Sequence, residues 1–96
     1  MMCAQTSKTY LAIPDNGPEL ANLATVAIAP FWIGIDDMDQ QGTWMTQKGV
    51  QAMFLPWAAG QPNPGAQNDC VEAISATEIA NDKCSNKHAA VCECEP

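Results

Sequence analysis

The apolar residues of this chain fall into short runs separated by turn-forming clusters, and one stretch follows helical spacing. From Pro18 to Ala29 the apolar positions 20, 23, 24, 27 and 28 recur at the three- and four-residue interval of a helix face. Pro18 suits a first turn, where no backbone N–H is required, and Pro30 closes the segment. Ahead of it, Tyr10-Leu11-Ala12-Ile13 predicts a short strand, ended by the turn cluster Pro14-Asp15-Asn16-Gly17. Phe31-Trp32-Ile33-Gly34-Ile35 is continuously apolar, aromatic and β-branched, which predicts a strand buried on both faces.

Beyond an acidic turn, Asp36 to Gly42, the pattern breaks up. Thr43-Trp44-Met45 predicts a strand and Phe54-Leu55-Pro56-Trp57 a second apolar anchor. A loop follows from Ala58 to Asp69, with two prolines and two glycines in twelve residues. Loops of that length inside a compact domain are usually functional or disordered. Cys70 to Ile74 and His88 to Cys92 supply the last strands. The pattern describes a single α+β domain over residues 1–96 with abundant loop.

Five cysteines among 96 residues change that picture, because a core this small benefits from covalent staples. They point to a disulfide framework and an oxidising compartment, hence a secreted or extracellular protein. Met1-Met2-Cys3 has neither the basic region nor the apolar core of a secretory signal, so such a signal is expected outside this sequence. Structural zinc is not expected: there is no C-x-x-C pair, and His88, the only histidine, has no second histidine to partner it. The net charge of −7, with Lys8, Lys48, Lys83 and Lys87 and no arginine, argues against nucleic acid and anionic membranes. No stretch is long and apolar enough to span a bilayer, so membrane insertion is not expected. No asparagine stands in an N-x-S/T acceptor.

Candidate chemistry concentrates in two polar runs near cysteines, Gln61-Pro62-Asn63 and Asn81-Asp82, whose side-chain oxygens could turn toward one calcium ion. The acidic run Asp36, Asp37, Asp39 and Gly42 resembles the start of an EF-hand loop. Its twelfth position counted from Asp37 is Lys48, where a bidentate glutamate is needed. His88 lies among small apolar residues and reads as structural. No serine or cysteine has a base at recognisable spacing, so an enzyme is not expected. Trp32, Trp44 and Trp57 read as core anchors.

These residues together resemble the C-type lectin-like domain family across nearly the whole chain. Trp32-Ile33-Gly34-Ile35 is similar to the family's W-I-G-L strand, Gly42-Thr43-Trp44 to its G-x-W step, and Trp57 to Asn63 to its W-x-x-G-[EQ]-P-[ND] loop. Asn68-Asp69-Cys70-Val71 resembles the E-D-C-V strand, Asn81-Asp82-Lys83-Cys84 the W-N-D-x-x-C run, and Ala90-Val91-Cys92-Glu93 the final strand. The resemblance implies a disulfide-stapled double-loop α+β fold, here with its N-terminal strand and helix shortened or missing. It implies bridges Cys3–Cys92 and Cys70–Cys84, leaving Cys94 as a free thiol or an intermolecular bridge.

The resemblance further implies a calcium-dependent carbohydrate site with Gln61, Asn63, Asn68, Asn81 and Asp82 as shared ligands of ion and sugar, and Pro62 in the cis form. Q-P-N lies between E-P-N, the mannose type, and Q-P-D, the galactose type, so the sugar stays open. Asp82 would be the lone carboxylate of the five, and Ala80 stands where the run has tryptophan. Asp37 and Asp69, with Gln41, Pro64 and Asn68, match a secondary calcium site. The competing expectation is a lectin-like protein-interaction or assembly module, joined to other chains or to copies of itself, that has lost calcium and sugar binding.

Overall fold

The computed structural model describes residues 9–65 and 67–94. Among the described residues, seven strands and one helix run in the order β1 (Thr9–Leu11), α1 (Gly17–Leu23), β2 (Phe31–Asp36), β3 (Met45–Thr46), β4 (Cys70–Ala73), β5 (Ile79–Asp82), β6 (Ala89–Ala90) and β7 (Cys92–Cys94). β1 and β7 pair antiparallel as a two-stranded sheet. The larger sheet has the order β3-β2-β4-β5, and β6 joins β2 in parallel.

β2 is the centre of the molecule, as its unbroken apolar run predicts. Phe31, Ile33 and Ile35 point to one face, where Leu20, Trp44, Ala52, Val71, Ala73 and Ile79 complete the core. Trp32 and Gly34 point to the other face, and both are buried. Gly34 is required there: a Cβ would lie 2.5 Å from the Leu11 carbonyl oxygen and 2.9 Å from Ile13 Cγ1. Its N–H donates to the Ala12 carbonyl at 2.9 Å, fastening residues 11–13 across the strand.

α1 begins with a reciprocal cap. Asn16 Oδ1 accepts the Glu19 N–H at 2.9 Å, and Glu19 Oε1 reaches back to the Asp15 N–H at 2.8 Å. The helix ends at Leu23, well short of the Ala29 that the spacing predicts. Past that point Thr25 and Val26 bond three residues back, to Asn22 and Leu23 at 3.1 and 3.0 Å, and Thr25 Oγ1 takes the Asn22 carbonyl at 2.6 Å. A side-chain hydroxyl competing for backbone partners disfavours further helix. Val26 and Ile28 consequently stay 71% and 87% exposed.

Cys70 and Cys84 form the bridge the resemblance implies, across 14 residues of chain. A closed loop of that size contributes about 3 kcal/mol in the chain-entropy view. Cys92 is also disulfide-bonded, whereas its expected partner Cys3 lies outside the described residues. So does the side chain of Cys94.

Candidate functional site

The long loop is pinned at its base to β5. Ala58 N–H donates to the Ile79 carbonyl at 2.9 Å, Ile79 N–H donates to Pro56 at 3.0 Å, and Trp57 packs edge-on against Trp44 with ring centres 5.0 Å apart. Gly60, at φ +83°, takes the left-handed turn that lets the Gln61 N–H reach the Ala58 carbonyl at 2.9 Å. The Gln61–Pro62 bond is cis, as the resemblance implies.

Asn81 organises the rest of the loop. It is 6% exposed, and its side chain makes three hydrogen bonds to the loop backbone. Oδ1 accepts the Asn63 N–H at 2.5 Å, while Nδ2 donates to the carbonyls of Asn63 at 2.7 Å and Asn68 at 2.9 Å. The loop also closes on itself: Asn63 Oδ1 accepts the Gly65 N–H at 2.9 Å, and the Asn68 N–H donates to the Gly65 carbonyl at 3.1 Å. A Cβ at Gly65 would sit 2.7 Å from Asn68 Nδ2 and 3.3 Å from Asn63 Oδ1, so the two side chains gather over this glycine. Gln61 Oε1 is buried without a partner.

The structure therefore brings Gln61, Asn63, Asn68 and Asn81 to one loop, but not Asp82. Pairing of Val71 with Asn81 and of Cys70 with Asp82 sends these neighbours to opposite faces of β5. Asp82 Oδ1 accepts the Lys83 N–H at 2.8 Å and Asn86 Nδ2 at 2.9 Å, and Oδ2 meets His88 Nε2 at 3.0 Å. Burial works against its charge, yet the hydrogen bonds from Asn86, His88 and Lys83 hold the Asp82 carboxyl below its usual range. The cysteine gives the signal in sequence. W-N-D-x-x-C leaves two residues between aspartate and cysteine, whereas Lys83 alone separates Asp82 from Cys84. Counted back from Cys84, the motif's Asn and Asp fall on Ala80 and Asn81.

In that register the gathered candidates Gln61, Asn63, Asn68 and Asn81 are all amides, and Asn81 Oδ1 is already occupied by a backbone N–H. Calcium takes six to eight oxygens, and its affinity falls with ligand charge. The donor set gathered by the loop does not fit that ion. The acidic turn differs. Asp37 is 2% exposed, its Oδ2 accepting the Gly42 N–H at 2.8 Å and Gln41 Nε2 at 3.1 Å. Its backbone N–H donates to the Asp69 carbonyl at 3.0 Å, and Oδ1 of both Asp37 and Asp69 is buried without a partner. Burial, and then the neighbouring Asp69 carboxyl, push the Asp37 carboxyl above its usual range against the pull of the Gly42 N–H. Burial also raises Asp36, helped by the charges of Asp39 and Asp69.

The lectin C-type domain family matches residues 1–94, and the chain belongs to that family. It is 34% identical over 95 residues to a C-type lectin of Thrasops jacksonii, a lectoxin, covering 88% of this chain and 60% of that one. Human C-type lectin domain family 3 member A is 29% identical over 91 residues, covering 86% of this chain and 46% of the relative. The chain thus spans about half the length of the curated relatives it matches. Among solved structures, the calcium-independent type II antifreeze protein superimposes with a TM-score of 0.79 at 18% identity, covering 90% of this chain and 68% of that one. At such identity the likeness shows the fold alone. Both sequence relatives carry the C-type lectin name, and among the described residues no helix is long and apolar enough to cross a membrane.

Proposed function

We propose that this chain is an extracellular carbohydrate-recognition module that binds without calcium, its long loop held in shape by Asn81. The observation that carries the reading is the Asn81 amide, which ties both limbs of the loop by three hydrogen bonds where a cation would otherwise gather them. Gln61, Asn63 and Asn68 then offer groups that both give and accept hydrogen bonds, as the vicinal hydroxyls of a mannose- or galactose-type sugar require. The Cys70–Cys84 bridge supports an oxidising, extracellular setting.

The test is binding of the chain to immobilised mannose- and galactose-type glycans, in calcium and in excess chelator. Equal binding in both, lost in Gln61→Ala and Asn63→Ala, is expected. Binding that chelator abolishes would overturn calcium independence. Exposure of Val26, Ile28 and Met53, at 71%, 87% and 92%, favours the second reading, a protein-interaction or assembly module. In that case no glycan binds, and Asn63→Ala leaves partner binding untouched.

A further inference from the structure

The face of the sheet opposite the core carries a cluster that the lectin reading does not use. Trp32 pairs with Glu72, Glu72 with Ala80 and Cys70 with Asp82, so Trp32, Glu72 and Asp82 share that face. His88, just before β6, lies against Trp32 with ring centres 4.6 Å apart and planes inclined at 49°. Its Nε2 stands 3.0 Å from Asp82 Oδ2 and 3.4 Å from Glu72 Oε1. One ligand atom from each of the three residues lies within 4.8 Å of the others.

We propose that Glu72, Asp82 and His88 form a binding site for zinc or a similar imidazole-seeking divalent metal. Three observations converge on it. Ligands held about 2.0–2.1 Å from a tetrahedral zinc stand about 3.3 Å from one another, and the His88 nitrogen already keeps 3.0 and 3.4 Å from the two carboxylate oxygens. The Glu72 side chain is 10% exposed and faces a second carboxylate, with one imidazole between them, so the cluster is short of positive charge. The third observation is preorganisation. Trp32 holds the ring, and the Lys83 N–H and Asn86 Nδ2 occupy Asp82 Oδ1, leaving Oδ2 turned inward. Such outer contacts orient metal ligands and tune their affinity.

An imidazole nitrogen among carboxylates selects zinc, copper or nickel over calcium and magnesium, which prefer oxygen alone. His88 and Asp82 keep 16% and 26% of their side chains exposed, leaving the ion a route in and its fourth position open to water or to a donor from a partner. The missing C-x-x-C pair and second histidine argued in sequence against structural zinc; the fold supplies two carboxylates in their place. Sequence spacing hides it because its ligands come from β4, β5 and the turn before β6.

The experiment is calorimetric titration of zinc into the chelator-stripped chain with free thiols blocked by iodoacetamide. One zinc per chain is expected, undisturbed by excess calcium. His88→Gln and Asp82→Asn should each weaken it by at least about tenfold, with circular dichroism and the Cys70–Cys84 bridge unchanged. In ¹⁵N spectra of the unaltered chain zinc should move Nε2 of His88 rather than Nδ1, a readout that needs no variant to fold. Absence of zinc heat, binding that persists undiminished in His88→Gln, or a response at Nδ1 alone would each overturn the site.

Discussion

Asn81 and Asp82 are neighbours that face opposite ways, and their side chains do different work. Asn81→Ala would strand the N–H and carbonyl of Asn63 and the carbonyl of Asn68. Each lost hydrogen bond contributes about 0.5–1.5 kcal/mol net, so the variant should unfold at lower denaturant and its Asn63 amide should exchange faster with solvent. An unchanged exchange rate would remove Asn81 from its role. Asp37 sets a pH dependence of definite sign. Its folded pKa lies above the ordinary value, as do those of Asp36 and Glu72, the last through burial and then the Asp82 charge. Between the ordinary and the raised values the folded state holds more protons than the unfolded one, so stability falls as pH rises through that window. The depressed Asp82 works in the opposite sense, but only as pH falls below the ordinary carboxylate range. Melting temperature should therefore rise as pH is lowered from neutral toward the ordinary carboxylate range, and Asp37→Asn should raise it at neutral pH while flattening the profile. A melting temperature that falls steadily with acidification would contradict this account. At this scale Gln61, Pro62 and Asn63 were legible as one motif because turn chemistry is local. Asp82 was not, because strand alternation turns a single step in register into a change of face.

At the scale of elements, β2 was readable from its unbroken apolar run, and the segment at residues 11–13 that fastens it was readable as a strand ahead of a turn. Gly34→Ala tests that fastening. The added methyl meets a backbone oxygen, which cannot rotate away as a side chain would. Overpacking of this kind costs about 1–3 kcal/mol, to be read as a lower midpoint in denaturant; an unchanged midpoint would mean that residues 11–13 shift without penalty. Helical spacing overstated α1, since the apolar positions 24 to 28 continue the period while the Thr25 and Val26 N–H groups tighten to three-residue steps. Periodicity reports which face a helix would bury, not whether the backbone continues. Asn16 and Glu19, by contrast, mark the start of α1 through a reciprocal cap three residues apart.

At the scale of the molecule, one sheet presents two different chemistries. Amides of the long loop gather at the end of the core face, and carboxylates with an imidazole lie on the other, while the Cys70–Cys84 bridge joins the start of β4 to the turn beyond β5. The α+β class was legible from the apolar pattern, and the double-loop fold only through the runs around Trp32, Gly60, Cys70 and Cys84 that resemble a known family. The outward cluster was not, because cross-strand neighbours are distant in sequence. The Asn81 clamp has one consequence beyond binding. A tether made of the chain's own atoms cannot be diluted, dialysed or chelated away, since its local concentration is fixed by covalent connection. A receptor gathered by a dissolved ion can drop its cargo when that ion is withdrawn; on the calcium-independent reading proposed above, this loop would have no such trigger, and a bound sugar would leave by its own off-rate or be displaced by a competitor.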